Sequence, residues 1–158
     1  MGMPLRIDVS PMYAQVAIVD ATWQDYPEWT DGQEWVAFRA ESLIDPDNPP
    51  YPGIAVATRG DIGTDGPCQV WVEVWSGGTP DGVRCIHETV LSVGMHGVLV
   101  GNDQSNDMTE LALPEGNYPL QIWVDADTPG LVSRVVFLLG SPSSRSSGTT
   151  STPVQTPK

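Results

Sequence analysis

Apolar and polar residues alternate along most of this chain with a period of two, and glycine and proline interrupt the alternation at short intervals. A period of two sends successive side chains to opposite faces of an extended backbone, so the pattern predicts strands. They are expected over residues 5–9, 13–19, 34–39, 54–58, 68–75, 83–93, 98–100, 108–113, 118–124 and 132–139. A short helix fits only around residues 27–33. Short strands joined by turn-rich segments predict an all-β fold, an antiparallel β-sandwich or a partly closed barrel.

The punctuation carries its own expectations. Residues 76–82, Ser-Gly-Gly-Thr-Pro-Asp-Gly, and residues 114–117, Pro-Glu-Gly-Asn, combine a preset proline φ with glycines free to take a positive one. Both predict reversals between antiparallel neighbours. Residues 45–53 hold four prolines and read as an exposed crossover that cannot join a sheet. From residue 141 onward only Val154 is large and apolar. The division is therefore one domain over 1–140 and a Ser/Thr/Pro-rich disordered tail, linker or docking segment over 141–158.

A length of 158 residues suits a single core. The charge is −13 overall, and residues 1–140 set five arginines against all 20 acidic residues, a net of −15. Phosphate binding needs lysine and arginine to displace counterions, so neither direct nucleic-acid binding nor attachment to an anionic membrane is expected. No apolar run approaches the length of a membrane span and the first residues lack a signal peptide's apolar stretch, so a cytoplasmic protein is expected.

The acidity concentrates where it has company. Residues 20–35 carry five carboxylates and four large aromatics with no basic residue. Carboxylates steer a basic partner and aromatics supply the anchor area that turns encounter into affinity. Trp23, Asp25, Tyr26, Glu28, Trp29, Asp31 and Glu34 are accordingly the candidate partner-binding residues. A second candidate is an aromatic platform. In 69–75 the valines take one face and Trp71, Glu73 and Trp75 the other, while in 118–124 Trp123 faces away from Tyr118, Leu120, Ile122 and Val124. If the two strands share a sheet, three tryptophans gather on its outer face, unless the N-terminal aromatic segment or the proline-rich crossover folds over them.

Chemistry beyond binding finds little support. His87 and His96 sit near no nucleophile motif, no catalytic residue is assigned, and no enzyme is expected. Cys68, Cys85, His87 and His96 lack the paired spacing of a zinc site. A hairpin centred near Thr79 would set Cys68 opposite Val90 and Cys85 opposite Glu73, which predicts free thiols. Residues 102–107 and 125–127 are oxygen-rich, but no EF-hand register fits and Asp and Asn are ordinary turn formers. No metal or cofactor is expected. Glu73 between two tryptophans is the only carboxylate in a setting suited to a sugar substrate.

Three short motifs, Tyr13-x-Gln15, Trp29-Thr-Asp31 and Leu113-Pro-x-Gly116-x-Tyr118, occur in an order and spacing that resemble the competence protein J family of small nuclease inhibitors. The likeness runs over about residues 7–139, and the proline-rich crossover, the long strand at 83–93 and the tail depart from it. It implies a non-enzymatic β-sandwich that binds and blocks a basic nuclease, with carboxylates lying where phosphates would lie. Two other readings stand beside an inhibitor or immunity-type protein. One is a structural accessory of a virion or surface assembly that docks through its tail. The other is a carbohydrate-binding module using Trp71, Trp75 and Trp123.

Overall fold

The computed structural model describes residues 5–11, 14–22, 35–37, 53–60, 62–63, 66–67, 69–102 and 107–143. Twelve strands lie among them: β1 Leu5–Val9, β2 Gln15–Asp20, β3 Val36–Ala37, β4 Gly53–Ala57, β5 Ile62–Gly63, β6 Gly66–Pro67, β7 Val70–Ser76, β8 Arg84–Val93, β9 Val98–Asn102, β10 Asp107–Leu111, β11 Gly116–Val124 and β12 Arg134–Leu139. All ten expected strands recur, and the small ribbon β5–β6 joins them. One five-stranded sheet runs β1-β7-β12-β11-β8 and the other β10-β9-β2-β4-β3. Both are open, so the fold is a sandwich and not a barrel. Every pairing is antiparallel except β7 with β12.

The period-two pattern fills the space between the sheets. Val70, Val72 and Val74 of β7, Tyr118, Leu120, Ile122 and Val124 of β11, and Val135, Phe137 and Leu139 of β12 face Val16, Ile18, Ile54, Val56, Val98 and Val100 of the other sheet in one buried cluster. Each such side chain contributes about 1.5–3 kcal/mol on burial. Ala17, Val19 and Ala55 form a second buried cluster with Leu99 and Met108 on the opposite face of β2, β4 and β9.

The structure corrects both predicted reversals. Strands β7 and β8 do not pair: β12 and β11 lie between them and all the intervening registers make β7 and β8 run parallel. Residues 77–83 are thus a diagonal link that crosses the sheet instead of a hairpin turn. The turn at 114–117 likewise joins β10 of one sheet to β11 of the other. The cysteine register deduced from the false hairpin fails with it. Cys85 lies opposite Trp123 on β11 and is a free thiol, while Cys68 is outside the described residues. Gly53, placed in the crossover from sequence, already belongs to β4 opposite Val19. Residues 45–52, the expected helix at 27–33 and the tail from 144 lie outside the described residues. Gly140 to Ser143 still follow β11, with Ser143 bridged to Asn117.

Candidate functional site

The face of the β1-β7-β12-β11-β8 sheet that turns away from the core does collect the three tryptophans, with β12 between their strands. The centre of this face is Glu73, only 4% exposed. Its Oε2 accepts the Trp71 Nε1–H at 2.9 Å and the Arg134 Nε–H at 2.9 Å. Its Oε1 accepts from Trp75 Nε1 at 2.8 Å and Arg134 Nη2 at 3.0 Å. Burial pushes the carboxyl up, but the hydrogen bonds from Arg134, Trp75 and Trp71 and the guanidinium charge outweigh it and hold it below the ordinary carboxylate value. The same pairing raises Arg134. A carboxylate with all four acceptor positions used has no room for a substrate proton. Glu73 is a keystone that fixes two indoles, and the glycosidase setting read from sequence does not survive.

Arg134 was not among the residues singled out from sequence. The available signal was parity: Val135, Phe137 and Leu139 are core, which puts 134 on the outer face. Its Nη1 also donates to the Asp81 carbonyl at 2.6 Å, fastening the diagonal link over the sheet. Along that link Pro80 is buried, Gly78 lies against Trp75 with φ +87, and Gly82 turns beside Arg134 with φ +79. Val136 beneath is fully buried although it faces outward. The β7–β8 link therefore covers the part of the platform around Trp75 and Arg134.

Trp71 remains 38% exposed, with the Arg6 guanidinium 4.1 Å from its ring centroid. A cation on the indole face occupies the surface a sugar ring would need. Trp75 and Trp123 are half-buried. Trp123 Nε1 donates to Gln121 Oε1 at 3.1 Å, and Gln121 Nε2 to Glu88 Oε2 at 3.3 Å. On β11, as on β7, an acceptor two residues away fixes a tryptophan. Burial raises the Cys85 thiol and lowers the His87 imidazole, the latter opposed by the Glu88 charge.

The acidic aromatic stretch is anchored at both ends. Asp20 is buried at the end of β2: its Oδ1 accepts the Gly94 N–H at 2.6 Å and its Oδ2 accepts from Thr22. That carboxylate holds the β8–β9 turn and is lost to any recognition surface. Trp35 packs on the core and its carbonyl accepts the Ala57 N–H, while Arg84 stands 5.6 Å from its ring. The remaining candidates, Trp23, Asp25, Tyr26, Glu28, Trp29, Asp31 and Glu34, lie outside the described residues.

Asp125 accepts from Ser133 N, Ser133 Oγ and Arg134 N at 2.9, 2.7 and 3.0 Å, and Asp127 pairs with Arg84 at 3.3 Å. Both act in the β11–β12 connection. Among the described residues no cluster of His, Cys, Asp and Glu could hold a metal ion, and no helix is long and apolar enough to cross a membrane.

No protein-family model matches the chain, and no curated protein matches it. A solved structure does: ComJ from Bacillus subtilis, described as the inhibitor of the DNA degrading activity of NucA. The match has a TM-score of 0.58 at 14% sequence identity and covers 89% of this chain and 98% of ComJ. At that identity the likeness is one of architecture, and this chain shares the ComJ fold.

Proposed function

We propose that this protein is a non-enzymatic, stoichiometric inhibitor that occludes a basic nuclease. The observation that carries the reading is the fold likeness to a nuclease inhibitor over nearly the whole of both chains. Charge adds to it. A domain with a net of −15 over residues 1–140 attracts a cationic nucleic-acid groove and competes with phosphate for it. The contact surface on this reading is the segment between the buried Asp20 and Trp35, with Asp25, Glu28, Trp29 and Asp31 as its principal contacts. Trp23, Tyr26 and Glu34 complete the surface. The saturated Glu73 adds to the non-enzymatic reading.

The test is a titration of small basic bacterial nucleases with the full chain, following DNA degradation. Activity should fall linearly to an end point of one inhibitor per nuclease, with association slowing as salt rises. Trp29→Ala with Asp31→Ala should weaken inhibition by roughly 30-fold or more, the loss of about one hot spot. A panel left fully active at excess protein would defeat the reading, and full inhibition by the double variant would move the contact surface elsewhere.

A further inference from the structure

One end of the sandwich carries an apolar groove that the inhibitor reading does not use. Leu113, Pro114, Tyr118, Leu139 and Pro142 line a depression of about 400 Å³. Leu113 and Pro114 are also one wall of a second depression of about 400 Å³, which Met95, His96, Gly97 and Ala112 complete. Met95 is 76% exposed there. Tyr118 donates its hydroxyl to the Pro114 carbonyl at 2.6 Å, so the groove presents its ring with the polar end already satisfied.

The chain's own course leads to this place. After β12, Gly140 N donates to the Pro119 carbonyl, and Asn117 and Ser143 exchange two hydrogen bonds of 2.9 Å. The backbone thus runs antiparallel to β11 toward Pro114, with Pro142 in the groove wall and Ser143 paired to Asn117 next to it. The 15 residues that follow carry Arg145 and Lys158 and no acid, against the −15 of residues 1–140. Their only large apolar side chain, Val154, precedes Pro157 by three residues. In the polyproline conformation three residues make one turn, so both side chains project from one face, about 9 Å apart.

We propose that the C-terminal segment 144–158 docks back on its own domain, seating Val154 and Pro157 in the two depressions either side of Leu113 and Pro114. Ten residues lie between Ser143 and Val154, and a linker of that length spans roughly 17 Å. A tether that short gives an effective concentration in the millimolar range, so two apolar anchors assisted by opposite charge suffice. The docked segment covers the exposed Met95.

Two measurements on the full chain test this. The methyl resonance of isotope-labelled Met95 should shift on replacing Val154→Asp with Pro157→Ser, and Met95→Glu should release the segment without touching the core. Tryptic cleavage after Arg145 should accelerate about threefold in each variant, as when a docked fraction of two-thirds falls to zero. An unchanged Met95 resonance together with unchanged cleavage overturns the proposal. A Met95 shift that scales with protein concentration overturns it too, because the groove would then hold the tail of a second copy.

Discussion

Arg134 meets Glu73 side-on across two parallel strands, Nε 2.9 Å from Oε2 and Nη2 3.0 Å from Oε1. Removing one member of a largely buried pair strands the other's charge, which costs up to about 3–5 kcal/mol. Glu73→Gln or Arg134→Met alone should each lower stability in urea unfolding by that amount. The double replacement Glu73→Leu with Arg134→Met should be markedly less damaging than the two losses added. It will not recover fully, because the Trp71 and Trp75 N–H groups and the Asp81 carbonyl lose partners as well. Strict additivity would show that the pair is not coupled.

The lowered titrations of His87 and Glu73 make the fold acid-sensitive in two steps. A half-buried imidazole kept neutral below its ordinary value of 6.5 means that the unfolded chain binds protons first as pH falls. Its contribution is complete above 6.5 and drains away as pH drops toward the folded value. Glu73 behaves alike below the ordinary carboxylate value of 4.5. Unfolding free energy measured between pH 7.5 and 5.5 should therefore fall, by up to roughly 1.4 kcal/mol per unit of separation between folded and unfolded titrations. In His87→Phe that slope should flatten. A slope unaltered by the substitution would put the proton uptake on another group.

Strand existence was legible because burial on one face leaves a period-two record in strands such as β7 and β11, as in Val70, Val72 and Val74. Strand order was not. The parallel pairing of β7 with β12 joins residues about sixty apart in sequence, and nothing local to residues 70–76 or 134–139 encodes it. The misreading of residues 76–82 follows directly, since glycine, proline and aspartate serve a tight reversal and a strained diagonal link equally well. With the order lost, the Glu73 and Arg134 pair was lost too. The platform tryptophans could be placed on a face by parity, yet what covers that face depends on where the link runs. Asp20 looked like part of an acidic surface, but only the fold brings the Gly94 N–H to its carboxylate.

Arg6 on Trp71 is an exposed contact and should matter for access more than for stability. Arg6→Ala is expected to cost about 0.5–1 kcal/mol, the worth of a cation–π contact at the surface. It should also bare the indole, so acrylamide quenching of the tryptophan fluorescence should rise, and Trp71→Phe in the same background should abolish that rise. Quenching that stays constant after Arg6→Ala would mean the guanidinium does not shield the ring.

The diagonal link sets a length limit on the fold. Ser76 is level with Leu139, Leu120 and Thr89, and Arg84 with Val124. From the end of β7 to the start of β8 the chain must therefore cross three strand spacings sideways and four residues back. At about 4.8 Å per spacing and 3.3 Å per residue that is roughly 20 Å in a straight line. Eight backbone steps reach at most about 28 Å, and the path must also arch over Val136 and around Gly78 and Gly82 at positive φ. Deleting two link residues, Thr79 and Pro80, should leave too little chain and abolish the folded state, seen as loss of the cooperative thermal transition. Inserting Gly-Ser after Gly78 adds only a few tenths of a kcal/mol of loop entropy and should leave that transition nearly in place. A hairpin turn at this position would respond differently, because removing two residues from a seven-residue turn still permits a shorter reversal. A folded, cooperative deletion variant would therefore contradict the crossing itself.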